Sequence, residues 1–204
     1  MSSTIDYYNE HAKEFSDSTR DVVFSDTQDR FLSLLPDGAY ILDLGCGSGR
    51  DTKYFLARGF CVDAMDGSEE LCRIASEFAG ISVKHMYFEE LCAVEKYDGI
   101  WACSSILHLE RNRLSDVMVK IERAAKPGAV IYTSFKSGTF EGVRNGRYFI
   151  DFNRDTFADF MEEQWRNNTL LATKIEDMWT TDDVRPGRSD ERWLNVMLRK
   201  MDRR

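Results

Sequence analysis

The chain has 204 residues, 43% of them hydrophobic, and carries 27 Lys and Arg against 35 Asp and Glu, a net charge of −8. That length suits about one domain with a substantial core, and the negative balance excludes broad binding to a phosphate backbone, so no nucleic-acid partner is expected. The five cysteines (46, 61, 72, 92, 103) form no C-x-x-C pair and lie near no histidine at metal spacing, and no uncharged apolar run approaches ~20 residues, which together exclude a metal site, a disulfide framework, a leader and a membrane span and fit the reducing cytoplasm.

Tyr8, Ala12 and Phe15 lie at helical spacing, and Ser25 with Gln28 forms a capping box that opens a second predicted helix carrying Phe31, Leu34 and Leu35. Residues 1–38 are therefore expected as a helical addition, and 39–204 as the core of a single domain. From residue 39 strands and helices alternate, the pattern of a parallel sheet with helices on both faces. Strand 1 spans 40–44 and a helix follows at 48–58; strand 2 spans 60–65, followed by a helix through Leu71, Ile74, Ala75 and Phe78. Strand 3 spans 81–86 and strand 4 spans 99–103. Next comes a helix with Leu114, Val117, Met118, Ile121 and Ala125 on one face, closed by the turn Lys126-Pro127-Gly128 before strand 5 at 129–135. A helix at 155–164 then precedes two strand-like runs, 170–179 and 193–199, which are expected to pair as an antiparallel hairpin.

Ile41-Leu42-Asp43-Leu44-Gly45-Cys46-Gly47-Ser48-Gly49 reads as a buried strand running into a glycine-rich turn that opens a helix. Such a turn presents bare backbone and unpaired N–H groups to a ligand, here a nucleoside-containing cofactor. Arg50 directly follows the third glycine, where a dinucleotide fingerprint needs a small residue. At the end of strand 2 comes Asp66-Gly67-Ser68, about 20 residues on, where a carboxylate can accept hydrogen bonds from both ribose hydroxyls. The alternative for Asp66 is a turn residue that caps the next helix.

These segments, with Tyr97-Asp98-Gly99-Ile100-Trp101, Leu107-His108 and Lys126-Pro127-Gly128-Ala129, resemble in order the class I S-adenosylmethionine-dependent methyltransferases over residues 39–135. The resemblance implies a Rossmann-like seven-stranded sheet of order 3-2-1-4-5-7-6 with strand 7 antiparallel. It also implies that Asp43 and the backbone of Gly45, Cys46, Gly47 and Gly49, with Arg50, hold the methionine part of the cofactor, that Asp66, Gly67 and Ser68 hold the ribose, and that Cys103 and Ser104 border the methyl group. Relatives often place an acid after strand 3 against the adenine; here Tyr87-Phe88-Glu89-Glu90-Leu91 displaces it, leaving Phe88 to pack on the base and Glu89 to reach its edge. Pro-Gly-Ala replaces the commoner Pro-Gly-Gly. More narrowly, the chain is similar to small bacterial tellurite-resistance-like methyltransferases, through Gly47-Ser48-Gly49-Arg50-Asp51, Ile100-Trp101-Ala102-Cys103, Ser134-Phe135-Lys136, Arg147-Tyr148-Phe149, Arg185-Pro186-Gly187-Arg188 and Trp193-Leu194-Asn195.

Methyl transfer from a sulfonium asks a protein mainly to align a nucleophile and exclude water; a base is needed only for an acceptor that arrives protonated. His108, shortly after strand 4, is the candidate base, its alternative being an imidazole that packs the helix behind it. Arg50, Arg144, Arg147, Arg185 and Arg188 fall on loops at the expected cleft mouth, and guanidinium groups there suit a small anionic acceptor. They could equally pair with Glu141, Asp151, Asp182 and Asp183. Arg147 and Arg188 lead that set, and His108, Phe135, Lys136 and Tyr148 complete the expected acceptor site. Tyr8 and Thr19 are expected in an N-terminal lid over the cofactor, with plain packing as the alternative for the aromatics. The rival readings are a non-catalytic S-adenosylmethionine-binding protein and an NAD-dependent oxidoreductase; Arg50 and the lack of an ordered Tyr-x-x-x-Lys pair count against the second.

Overall fold

Successive residues of β1 (Tyr40–Leu44) bury on opposite faces of a sheet: Ile41 joins a cluster with Phe31, Phe55 and Trp101, whereas Leu42 and Leu44 join one with Ile100, Leu114 and Phe157. The same alternation runs through Trp101 and Ala102, Tyr132 and Ile131, and Met197 and Val196, so helices must cover both faces. The computed structural model describes residues 2–167, 169–170, 172–185, 187–188 and 190–202. Pro186, quoted in a motif above, lies outside them.

Three helices precede the sheet: α1 (Ser2–Glu10), α2 (Ala12–Thr19) and α3 (Ser25–Leu32). After β1 come α4 (Arg50–Ala57), β2 (Cys61–Asp66), α5 (Glu69–Ala79), β3 (Lys84–His85), β4 (Tyr97–Ala102), α6 (Arg111–Ala124) and β5 (Ala125–Lys136). A hairpin of β6 (Glu141–Arg144) and β7 (Arg147–Ile150) follows, then α7 (Arg154–Arg166), β8 (Thr173–Asp182) and β9 (Arg192–Lys200). The seven-stranded sheet has the order β3-β2-β1-β4-β5-β9-β8, with β9 antiparallel to both neighbours. With its own strands counted alone this is the expected 3-2-1-4-5-7-6. Among the described residues no helix is long and apolar enough to cross a membrane.

Four local expectations are corrected. The first helix breaks at His11, whose ring Nδ1 lies 2.9 Å from the Tyr7 carbonyl, yet Tyr8 and Phe15 still face one cavity. Ser25 opens α3 without a side-chain cap, because Gln28 Nε2 donates instead to the buried carboxylate of Asp51 at 2.7 Å. A buried charge gains more from a donor than an exposed helix end does. Strand 3 shrinks to two residues on the sheet edge, and Lys126–Gly128 forms an irregular stretch inside β5, where Lys126 pairs with Asp98 at 2.7 Å and Gly128 has φ 79°. The β6–β7 hairpin was not expected. It turns on Asn145-Gly146, with φ 52° and 76°, the left-handed pair that a two-residue hairpin needs.

Trp101, fully buried in β4, stacks on Tyr132 of β5 with ring centroids 4.0 Å apart, and its Nε1–H donates to Asp51 Oδ2 at 2.8 Å. Trp101→Phe removes a donor from a buried carboxylate and leaves a void, so urea unfolding should show a loss of about 2–3 kcal/mol. A loss below about 0.5 kcal/mol would mean that the indole contact with Asp51 adds nothing to stability.

Candidate active site

The turn after β1 is folded over β2 by the N–H groups of Gly45 and Cys46, which both donate to the Met65 carbonyl at 2.9 and 3.0 Å. At Gly45, with φ 81°, an added Cβ would stand 2.5 Å from Ser105 Cβ, and Ser105 Oγ donates to the Leu44 carbonyl at 2.6 Å. The backbone of the turn therefore lies directly against the Ser105 side chain of the loop after β4, an approach that with the positive φ only glycine permits here. Asp66, the last residue of β2, accepts from Gly47 N and Ser68 N, each at 2.9 Å. Burial pushes its carboxyl above the usual range, against the pull of those two N–H groups.

Two cavities open beside the turn. One, about 550 Å³, is lined by Ile5, Asp66, Gly67, Tyr87, Phe88 and Glu89 among others; the second, about 580 Å³, by Arg50, Cys103, Ser104, Lys136, Arg147 and Arg188 among others. Tyr8, Phe15, Gly45, Gly47 and His108 line both and form the wall between them. Ser104 there has φ 51°, a strained position for a residue with a Cβ, and its N–H donates to Ser134 Oγ at 2.8 Å.

The wall holds a chain of polar contacts. His108 Nδ1 lies 2.7 Å from the Tyr148 carbonyl, and its Nε2 lies 2.9 Å from Tyr8 Oη. A carbonyl only accepts, so Nδ1 carries the proton of the neutral ring and Nε2 accepts from the tyrosine. Burial, aided by the positive charges of Arg147, Lys136 and Arg144, brings the imidazole down to about 4 against the effect of the Tyr148 hydrogen bond. Burial also raises the Tyr8 phenol, while Arg147, whose Nη1 donates to Tyr8 Oη at 3.3 Å, opposes that rise.

Charge is unevenly matched in the second cavity. Arg50 pairs with Asp51, Arg144 with Asp151, Arg185 with Asp183, and Lys136 and Arg188 share Glu191. Arg147, among the described residues, has no carboxylate within ion-pair distance, and its Nε is buried without a hydrogen-bond partner. Aromatic faces flank it: Tyr7 at 4.5 Å, Phe149 at 5.3 Å and Tyr8 at 5.7 Å.

Most expected site residues converge on these cavities, but Asp43, Gly49, Ser68 and Phe135 do not. Asp43 lies beneath the turn, 1% exposed, with Thr52 Oγ1 donating to it at 2.5 Å; burial and the nearby Asp51 charge raise it to about 8. Gly49 begins α4 and packs on Ala75 of α5, and the Ser68 hydroxyl caps α5 through Leu71 N. Phe135 is wholly buried against Phe152 and Phe157. The Tyr148 ring faces the Asp66 cavity, and its hydroxyl donates to Glu141 at 2.8 Å. Glu89 lines that cavity but is paired with Arg113. Sequence reading missed Asp51, and it singled out Phe15 and Phe149 only as aromatics that core packing explains equally well. The hairpin dipeptide Asn145-Gly146 was the signal that could have placed Phe149.

Residues 41–128, under half of the chain, match the family model described as a methyltransferase domain. The chain is 32% identical over 117 residues to an arsenite methyltransferase of Aquipseudomonas alcaligenes, covering 49% of this chain and 33% of that protein. It is 25% identical over 174 residues to a malonyl-[acyl-carrier protein] O-methyltransferase of Salmonella typhimurium, covering 79% and 67% respectively. Among solved structures, 1,6-didemethyltoxoflavin-N1-methyltransferase of Burkholderia thailandensis, bound to S-adenosylhomocysteine, superposes with a TM-score of 0.74 at 19% identity, over 97% of this chain and 85% of that one. The chain thus spans a third of the arsenite enzyme's length. The fold is the Rossmann-like methyltransferase fold, and residues 41–128 match the methyltransferase-domain model.

The low His108 value has a measurable consequence. Its folded value, about 4, lies below an unfolded value of about 6.5, so the stability tied to the neutral ring is present above pH 6.5 and is lost as pH falls toward 4. His108→Asn keeps a donor for the Tyr148 carbonyl and removes the titration. Between pH 7.5 and 4.5, wild type should therefore lose about 2–3 kcal/mol more than the variant in urea unfolding. Parallel losses in the two proteins would refute a buried neutral imidazole.

Proposed function

We propose that the chain is a methyltransferase that passes the methyl group of S-adenosylmethionine to a small anionic molecule in the Arg147 cavity. The cofactor fits the other cavity: backbone at Gly45–Gly47 would face its methionine part, Asp66 its ribose hydroxyls, and Phe88 and Glu89 its base. Bound there, it supplies an electrophilic methyl carbon and leaves as S-adenosylhomocysteine. The chain's own task is to align the acceptor and keep water out.

The N-terminal helices act as the lid in this reading. An added Cβ at Gly67 would stand 2.8 Å from Ile5, Ser68 Oγ donates to Asn9 Oδ1 at 2.7 Å, and Thr19 Oγ1 donates to Ser48 Oγ at 3.1 Å. Arg147 carries the assignment of acceptor class. A half-buried guanidinium without a counter-charge is costly, and an anionic ligand would supply the missing charge together with a partner for Nε. Arsenite is the substrate named for one relative, but burial keeps both cavity thiols protonated, Cys46 well above its usual value and Cys103 at about 12, which suits poor rather than good ligands for a soft metalloid. We further infer a place among the tellurite-resistance-like group, on the motifs quoted above, and in the cytoplasm, on five free cysteines.

Isothermal titration with S-adenosylhomocysteine tests the cofactor assignment: Asp66→Ala should weaken binding about 100-fold, the loss of two charge-assisted hydrogen bonds. Arg147→Ala should leave that affinity unchanged and raise KM for carboxylate or phosphate acceptors at least about 10-fold. Unchanged affinity in Asp66→Ala removes the cofactor assignment, and unchanged KM removes the anion. Tight cofactor binding without release of S-adenosylhomocysteine from any acceptor would mark a non-catalytic binding protein.

A further inference from the structure

We propose that Tyr8 is the residue that takes the proton from the acceptor, with His108 behind it as the proton's destination, and that the anion held by Arg147 is methylated on an O–H or N–H atom rather than on a thiolate or carboxylate. The proposal rests on the methyl-transfer reading above and names its acceptor chemistry.

Direct contact between His108 and an acceptor is blocked in this arrangement. Nδ1 is committed to the Tyr148 carbonyl at 2.7 Å and Nε2 to Tyr8 Oη at 2.9 Å, so although His108 lines both cavities, its ring nitrogens can take an acceptor's proton only through the phenol. The Tyr8 oxygen donates its one hydrogen to Nε2 and receives Arg147 Nη1–H at 3.3 Å. Its ring is wedged edge-on between Phe15, at 5.1 Å, and Tyr7, at 5.7 Å, and His108 is held edge-on to Phe149 at 4.7 Å. These contacts fix the oxygen in the wall that both cavities share, beside the guanidinium that lacks an acid. Anion and reacting atom must then lie on the same small molecule, a few bonds apart.

The step balances without a further reactant. As the acceptor's X–H bond breaks, its proton passes to Tyr8 Oη, and the phenol's own proton passes to His108 Nε2. The electron pair left on X forms the bond to the methyl carbon, whose bond to sulfur breaks. The resulting imidazolium keeps its Nδ1–H on the Tyr148 carbonyl and, after product leaves, returns the Nε2 proton to Tyr8 Oη as the phenol gives its own to water in the cavity. Arg147 steadies negative charge on the phenol oxygen during the transfer. The groups facing the pair are Arg147 from β7, Arg144 from β6, Lys136 from β5 with its partner Glu191, and Asp66 across Tyr8. An acceptor anion offsets the three cations and so lets the imidazole take a proton that they otherwise repel. A thiolate or carboxylate acceptor, already ionised at neutral pH, would leave this chain of groups idle.

A matched set of acceptors tests the proposal: 3-hydroxybenzoate, 3-mercaptobenzoate and benzoate, offered to wild type, Tyr8→Phe and His108→Asn with the cofactor. Wild type should methylate the phenol oxygen, and both variants should lose about 100-fold in kcat on it while keeping their affinity for S-adenosylhomocysteine. Their rates on the mercapto compound should stay within about 3-fold of wild type, since its thiol ionises unaided. Equal losses on the two compounds would reduce Tyr8 to packing, and methyl benzoate formed at a rate that Tyr8→Phe does not change would make the carboxylate the nucleophile; either overturns the proposal. If none of the three compounds turns over, ¹⁵N NMR of the S-adenosylhomocysteine complex decides. A neutral His108 protonated on Nδ1, with an Nε2 resonance that moves in Tyr8→Phe, supports the relay, and the Nε2–H tautomer or an unmoved resonance refutes it. Absence of cofactor binding in wild type would instead refute the methyl-transfer reading itself.

Discussion

The carboxylate of Asp51 holds the site together. It is 7% exposed and accepts from Gln28 Nε2, Arg50 Nε and Nη2, and Trp101 Nε1 at distances of 2.7, 2.7, 3.0 and 2.8 Å. A buried carboxylate short of partners would cost several kcal/mol, so these donors are held in place. They come from α3, from the first turn of α4 and from β4: the N-terminal addition, the glycine turn and the centre of the sheet. Asp51 also sits where the positive end of α4 favours a negative charge. The glycine turn therefore cannot shift without moving Trp101, and Arg50 is fixed over the Phe24 ring at 4.8 Å, beside the sulfur of Cys103.

With Arg50 neutralised in this way, the electrostatics of the second cavity are decided elsewhere. Each cation at the mouth except Arg147 is paired with an acid, Lys136 and Arg188 sharing Glu191, so the cavity is not a generally basic surface despite its five arginines and one lysine. These pairs cancel charge where it would attract polyanions. What is left is one guanidinium between aromatic faces. That arrangement is the one observation behind the proposed small anionic acceptor.

The mostly parallel sheet and the glycine turn with Asp66 beside it were legible because backbone geometry enforces them. Gly45 is demanded by the approach of Ser105, and Asp66 ends β2 in register with His85 of β3, so both follow from short local patterns. The acceptor half was legible only as a list of candidates. Arg147 and Arg185 look alike in the sequence, and only the fold shows that Asp183 neutralises Arg185 while, among the described residues, no carboxylate pairs with Arg147. Asp43 illustrates the opposite error, since its place in the motif points to the ligand but its carboxyl points down to Thr52. The capping box failed for a related reason: Gln28 met a buried charge that is distant in sequence. Periodicity reads faces of helices and strands; it does not read which long side chain wins a buried partner.

The two segments added to the sheet, the N-terminal helices and the β6–β7 hairpin, also depend on each other. Tyr148 N–H donates to Thr4 Oγ1 at 3.1 Å, an added Cβ at Gly146 would lie 3.4 Å from the Tyr7 ring, and the Arg147 guanidinium stacks on that same ring. The Tyr148 carbonyl, one peptide unit along, orients His108. A single run of hairpin backbone thus fastens α1 over the Asp66 cavity and sets the tautomer of the imidazole behind Tyr8. Neither segment belongs to the sheet, yet between them they supply Tyr8, Arg147 and the carbonyl that fixes His108. The proposed acceptor site therefore rests on these additions rather than on the sheet, and exchanging α1 or the hairpin would change that site while leaving every strand as it is.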